Sequence, residues 1–470
     1  MSDHLKFTLI ISLLSLFILS CSDASQESVP LEPEFDANAV RVITGQEVRF
    51  QETSAGDPTG WNWVFEGGTP ATSTEQNPVV TYSEAGNFQV SLTITRDGES
   101  ESIVKSDFIN VFTLFDGADL PEVASCKLDK VFDNDFVDLG FPNNGPLRST
   151  GTIKVQVLFA DFPDAAATAT TTEVFDLLDP VNQQFFDEMS YGRLNVNLVP
   201  NHTWLRLSMP SSHYAEGLRS ASGHLAFIQE AVDVADADVD FSDADLVVVM
   251  SNPAATAIGF GPAFVSLNDG FSIKADGNSI RTGITSGTDL NFWGGIWLAH
   301  EMGHSLGLHD LYAFSGSDAH RFVGGFGMMG LISGESPGFF AYERWLLGWL
   351  DDAQMYCHTA GSVAVELQEV ATEGGLKAIE IPLSATEALV VESRKRKGFD
   401  SSIINDGVLV YVVNSSISRG NGPIQVKPNT DSGTMKQDAP MSIGDVYEYK
   451  GVRVEVLNTT STSDVVLVSM

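Results

Sequence analysis

His300 and His304 stand four residues apart in the segment Trp297-Leu298-Ala299-His300-Glu301-Met302-Gly303-His304-Ser305-Leu306-Gly307-Leu308-His309-Asp310. On an α-helix this spacing puts both imidazoles on one face, roughly 5–6 Å apart at Cβ. From there both reach a single zinc ion at about 2.0–2.1 Å. Glu301 adjoins the first histidine and can address a water at the metal without ligating it. Zinc held in this way acidifies its water and polarises a carbonyl, while a neighbouring carboxylate takes the proton and passes it to the leaving amine. The expected chemistry is peptide-bond hydrolysis, with Glu301 catalytic and His300 and His304 as metal ligands. Three residues compete for the third ligand position. Asp310 offers a carboxylate, which binds zinc at about 2.0–2.2 Å. His309 is its one-residue slip. Glu343 shares a helical face with Phe339, Leu346 and Leu347 and so points inward by pattern.

The surroundings fit such a helix. Leu298, Leu306 and Trp297 give it apolar anchorage. Gly307 can take the left-handed conformation that ends a helix and turns the chain back under the metal. Tyr312 and Tyr342 are candidates to hydrogen-bond a developing oxyanion. Met328 and Met329 read as core filling at the least. His202, His213, His224, His320 and His358 lack ligand spacing and read as surface or packing residues.

Stepping along the chain, the pattern is multidomain. Residues 1–20 read as a signal peptide and 21–38 as a polar tether. Residues 39–113 alternate in short apolar strands such as Trp61-Trp63-Phe65 and Phe88-Val90-Leu92-Ile94, an all-β sandwich by pattern. Residues 114–150 form a Gly-, Pro-, Asn- and Asp-bearing connector. Over 151–350, strands at Ile153–Phe159, Leu194–Val199 and Leu246–Met250 interleave with a helical stretch holding Val174, Phe175, Leu177, Leu178, Phe185 and Phe186, an α/β or α+β catalytic unit. Residues 351–470 are strand-rich and read as a C-terminal β-sandwich-like domain without a catalytic constellation.

Three resemblances sharpen these expectations. Trp61 to Pro70, Asn77 to Tyr82 and Gly86 to Val90 resemble a polycystic-kidney-disease (PKD) domain, which implies a spacer or a module binding protein or polysaccharide. The metal segment is similar to the long metzincin motif, whose third ligand falls at position 310, here Asp rather than His. More closely, residues from Gly151 to at least Leu350 resemble the immune-inhibitor-A family of secreted metalloproteases. The matching elements are Phe159 to Asp164, Met189 to Leu194, Val239 to Ser242, Asp310-Leu311-Tyr312 and Trp345 to Trp349. That likeness implies a zincin-like fold, zinc as cofactor, Asp310 as third ligand and Met329, in Phe326-Gly327-Met328-Met329-Gly330, as the methionine beneath the metal. Where the family carries Trp-Asp, this chain has Phe326-Gly327. Glu392-Ser393-Arg394 and Gly398-Phe399-Asp400 resemble the family's C-terminal β region.

At the N-terminus, Lys6 precedes an apolar run from Phe7 to Leu19, too short to span a bilayer comfortably but right for a signal-peptide core. It ends in Ile18-Leu19-Ser20-Cys21, which resembles a bacterial lipobox and implies lipidation of Cys21 and attachment to the outer membrane of a Gram-negative cell. Without that use of Cys21 the protein is secreted. After export, Cys126 and Cys357 are free to form one disulfide. A Cys126 thiolate capping the zinc is the alternative.

The 62 Asp+Glu against 26 Lys+Arg give a net charge of −36 in 470 residues. Such a surface repels phosphate backbones and argues against nucleic-acid partners. Its carboxylates make calcium a second candidate ion. The partners expected are protein or peptide substrates. The competing functions are a surface binding or adhesion protein with an inactive protease fold and, further off, a zinc hydrolase of non-protein substrates. The intact His300, Glu301, His304 and acid 310 favour the enzyme. Cys21→Ala is expected to move the protein from the membrane to the soluble fraction or leave it unprocessed, because stable anchoring needs two or more acyl chains and the cleaved apolar run supplies none. Fractionation with N-terminal sequencing checks this. A membrane-bound mutant with a normal mature N-terminus contradicts it.

Overall fold

The computed structural model describes residues 29–132, 136–427 and 433–470. The apolar leader and Cys21 lie outside the described residues. No helix among the described residues is long and apolar enough to cross a membrane. The chain forms two compact units, one reaching to Val40 and resuming over Gly45–Asn110, the other made of Arg41–Thr44 and Val111–Met470.

The first unit is all-β. One sheet orders strands Phe35–Ala37, Glu47–Glu52, Val79–Tyr82 and Gly68–Thr69. The other carries Glu99–Phe112, Gly86–Arg96, Gly60–Phe65 and Thr72–Ser73. The period-two pattern of Gly60–Phe65 buries Trp63 and Phe65 and leaves Asn62 and Val64 outside. Trp63 packs edge-on against Phe35 at 5.1 Å and stacks with Phe65 at 5.6 Å, while its indole N–H donates to Glu75 O at 2.9 Å. The polar tether expected to run to residue 38 therefore ends sooner. Leu31 and Phe35 are buried, and Phe35–Ala37 pairs with Glu52–Phe50. Polar flanks hid this short strand.

The second unit is built on a five-stranded sheet ordered Leu194–Arg206, Gly151–Asp161, Leu246–Ser251, Thr282–Thr285 and Ala263–Val265. The first four are parallel, and the last runs antiparallel to its neighbour. Leu246–Ser251 is buried throughout because both of its faces are covered, as expected of parallel strands. Val247 and Val249 face Phe227, Ile228, Ala231 and Val232 of helix Ala221–Ala235. Leu246, Val248 and Met250 join the core formed with Phe185, Phe186 and Met189 of helix Val181–Ser190 and Trp297, Leu298 and Met302 of helix Gly295–Ser305. The helical stretch expected from Val174 to Phe186 is two helices, Thr171–Phe175 and Val181–Ser190, with Pro180 at the start of the second.

Two further sheets follow. One orders Met355–Cys357, Ala378–Pro382, Glu387–Arg394, Gly407–Asn414 and Ile424–Val426. The other orders Ser362–Gln368, Ser463–Ser469, Val452–Thr459 and Val446–Tyr449. Between them Ile379, Ile381, Leu389, Val391, Val408 and Val410 pack with Val365, Val454, Val456, Val466 and Val468, a sandwich. The opposite face of the first sheet, with Val390, Leu409, Tyr411 and Val413, enters the same core as Trp297 and Met302. Residues 351–470 are thus not a separate body but the back wall of the region before them. Cys126 and Cys357 form a disulfide, which ties the connector to this sheet and removes Cys126 as a cap for a metal.

A buried ion cluster seals that wall. Arg394 pairs with Glu392 and Asp400 and donates to the carbonyls of Gly338 and Phe339 at 3.1 and 3.2 Å. Glu392 also accepts the Ala341 N–H at 2.7 Å, at the start of helix Ala341–Leu346. Removing one partner leaves buried charge uncompensated. Arg394→Ala is therefore expected to cost about 3–5 kcal/mol of stability, measured by denaturant unfolding. A loss below about 1 kcal/mol would show that the cluster closes up without it.

Candidate metal centre and cleft

Helix Gly295–Ser305 packs on the sheet through Trp297, Leu298 and Met302, which turns His300, Glu301 and His304 towards a cavity of about 550 Å³. The helix ends where the connector meets it. Asn143 Nδ2 donates to Leu306 O at 2.6 Å and the Leu147 N–H donates to Ser305 O at 3.0 Å, so two otherwise open terminal carbonyls are satisfied. Gly307 follows with φ +100°, and a Cβ there would lie 2.2 Å from Asn143 Oδ1. Only glycine makes this turn, and it brings Asp310 back to the histidines.

His300 Nε2 lies 3.4 Å and His304 Nε2 3.2 Å from Asp310 Oδ1, and the three ligand atoms all lie within 4.8 Å of one another. Two ligands at about 2.0–2.1 Å on one tetrahedral ion stand roughly 3.3 Å apart, which matches both distances. The tautomers agree. His300 Nδ1 is 3.1 Å from Met328 O and His304 Nδ1 is 3.0 Å from Leu308 O. A carbonyl only accepts, so each Nδ1 carries a proton, and in the neutral ring each Nε2 turns a lone pair to Asp310. Three facing lone pairs need a cation between them, and this N/N/O set suits zinc while leaving a coordination position open.

The electrostatics follow from the same crowding. Burial lowers the His304 pKa, but the Asp310 and Glu301 carboxylates and the Leu308 carbonyl outweigh it and carry the value up to about 9. Burial raises Asp310, yet the two imidazoles hold it well below the usual carboxylate range. Glu301 is raised, chiefly by burial; the adjacent imidazoles and the Ala263 N–H, which donates to its Oε2 at 2.7 Å, oppose the rise. That N–H belongs to Ala263–Val265, the last strand of the sheet among the described residues.

The other candidates separate cleanly. Tyr312 lines the cavity, its ring 6.5 Å from that of His300. Burial raises its pKa, as do Asp310 and Glu301. Met329 Sδ lies against the helix, 2.6 Å from where a Cβ on Gly303 would stand, and Met329 O accepts the Leu311 N–H at 2.8 Å. Tyr342 is a correction. Its hydroxyl donates to Leu139 O and its ring packs with Phe141 and Trp345 in the core, away from the cleft. Glu343 does point inward, but it accepts the Phe340 N–H at 3.0 Å as a helix cap, and burial pushes it up to about 8. His309 is buried and stands outside the three-residue group.

Sequence reasoning passed over His320, whose Nδ1 bonds Gly330 O at 3.2 Å and which lines the cavity with Phe136, Asp289, Trp293 and Arg419. Asp289 accepts the Gly261, Gly287 and Leu290 N–H groups and so ties down the loop before the edge strand. None of these residues stands in a motif. Their loops meet only in the fold. His202, His224 and His358 are packing residues, His224 bonding Thr285 Oγ1 at 3.0 Å.

Comparison with known proteins agrees with this geometry. Residues 31–111 match the PKD domain, and residues 176–310, ending on Asp310, match the reprolysin-like metallopeptidase family M12B. Together they support a PKD-containing metalloprotease. Among solved structures, the PKD1 domain of the Vibrio cholerae metalloprotease PrtV is 28% identical, covering 17% of this chain and 99% of its own, with a TM-score of 0.15. The PKD1 domain of Vibrio anguillarum Epp is 24% identical over 18% of this chain and 99% of its own, with a TM-score of 0.16. No curated protein matches the chain.

The raised His304 pKa gives the metallopeptidase a defined pH dependence. Below about pH 9 the metal-free ring holds a proton that zinc must displace. Apparent zinc affinity is therefore expected to fall about tenfold per pH unit between pH 8 and 6, with about one proton released per zinc bound. Calorimetry in buffers of different ionisation enthalpy measures both. An affinity independent of pH would contradict either the raised His304 pKa or its place in the ligand set.

Proposed function

We propose that this chain is a zinc endopeptidase of extracellular proteins, exported and held at the membrane through a lipidated Cys21. His300, His304 and Asp310 hold the metal and Glu301 is the general base. What carries the reading is the meeting of His300 Nε2, His304 Nε2 and Asp310 Oδ1 in one cavity, with Glu301 beside them and outside the set. Bound zinc supplies a Lewis acid for the scissile carbonyl and an acidified water.

The chain's own residues supply the rest. Glu301 Oε2 is engaged by the Ala263 N–H, so Oε1 is the oxygen that takes the proton and later delivers it to the leaving amine. Its raised pKa suits transfer in both directions nearer neutrality. Tyr312, kept protonated by its own raised pKa, offers an O–H donor on the cavity wall, and His320 a ring nitrogen. The edge of Ala263–Val265 borders the cavity and can add an extended peptide as a further strand. The likeness to the immune-inhibitor-A family supports the same assignment of Asp310 and Met329. The PKD module is read as a spacer or a binder of protein or polysaccharide.

Glu301→Ala is expected to keep zinc and the wild-type melting behaviour while losing at least about a hundredfold in casein or gelatin cleavage. A chelator should abolish the wild-type activity. Near-normal cleavage by the mutant would overturn the role of Glu301, and chelator-resistant cleavage would overturn the metal.

A further inference from the structure

Among the described residues lining the cavity, Arg419 is the one lysine or arginine. It comes from the loop between strands Gly407–Asn414 and Ile424–Val426, in the C-terminal sheet that bears no part of the metal centre. The loop is fastened to the segment that follows Asp310. The Phe314 N–H bonds Gly420 O at 3.3 Å, and a Cβ on Gly420 would stand 2.3 Å from the Phe314 ring. Arg419 is half-buried, its guanidinium over the Phe136 ring at 5.3 Å from the centroid. That stacking fixes the plane of the group and leaves its N–H edges for a planar, two-oxygen acceptor.

Acids outnumber bases 62 to 26 in this chain; Arg193, Arg206, Arg281, Arg394 and Arg453 sit on carboxylates, and Arg321, Arg344 and Arg396 donate to backbone carbonyls. The guanidinium of Arg419 has no ion-pair or hydrogen-bond partner among the described residues. The cavity's own carboxylates face elsewhere: Asp289 accepts three backbone N–H groups, Glu301 the Ala263 N–H, and Asp310 is turned to the histidines. A strongly negative surface repels acidic substrates, so a cation inside the cleft that no carboxylate among the described residues pairs is the feature that would admit them.

We propose that Arg419 is a specificity-determining residue that binds a carboxylate of the substrate peptide beside the scissile bond. The carboxylate is either an acidic side chain or a free C-terminus. The inference rests on the peptidase reading and deepens it. The test uses zinc-loaded full-length protein and peptides differing only by Glu or Gln at each position flanking the cleavage point, each made as free acid and as amide. At one position, or at the C-terminus, the carboxylate form is expected to have kcat/KM about ten- to a hundredfold above its neutral partner. The ratio should fall to about one in Arg419→Gln, and Arg419→Glu should prefer Lys there instead. Preference that follows Glu identifies the side chain, and preference that follows the free acid identifies the C-terminus. No preference in wild type, or one that survives Arg419→Gln, overturns the proposal. If wild type cleaves no peptide, the peptidase reading fails by itself, and fluorescence anisotropy with the same labelled peptides decides the subsite. Carboxylate-dependent binding lost in Arg419→Gln upholds it, and equal binding by both proteins overturns it.

Discussion

Three lone pairs that face one another repel unless a positive charge stands between them. Much of the second unit serves to force His300, His304 and Asp310 into that arrangement. The helix supplies the two imidazoles, and the Met328 and Leu308 carbonyls fix their tautomers. The turn at Gly307, braced by Asn143, returns the carboxylate. Each of these is a backbone or neutral contact, so none of them supplies the missing cation. The geometry stores a demand for one, which a proton on His304 meets in part and a metal ion meets fully.

The centre was legible because its chemistry is local. A four-residue spacing on a helix and a glycine before an acid bring all three ligand atoms together from within eleven residues of chain, so no long-range contact has to be known. Trp63 and Phe65, or Leu246 to Met250, were legible for a related reason, since strand periodicity is written in consecutive residues. Glu343 misled because an amphipathic pattern says that a side chain goes inward but not into which interior, and Tyr342 beside it misled as an oxyanion donor. Tyr342 and Glu343 both went inward, to a core junction rather than to the cleft.

What the sequence hid was everything set by non-local packing. The strand Ala263–Val265 is too short to show a period, and Arg419 lies in a polar loop that local reading treats as solvent-facing. The boundary expected at residue 351 failed for the same reason. A sheet with both faces buried reads as a self-contained core, whereas Val390, Leu409, Tyr411 and Val413 spend one face on the core that carries the metal-bearing helix.

The shared core also governs when the protein can become an enzyme at all. Chains are made and threaded from the N-terminus, and the segment that caps the helix, around Asn143 to Leu147, emerges long before the sheet behind it. The core that seats Trp297 and Met302 is incomplete until Tyr411, Ile424 and Val426 have arrived, and Cys126 must wait for a partner 231 residues downstream. A nascent chain therefore has all the ligands of the metal centre well before it has the wall that holds them in register. Assembly of the metal centre is thereby deferred to the end of synthesis.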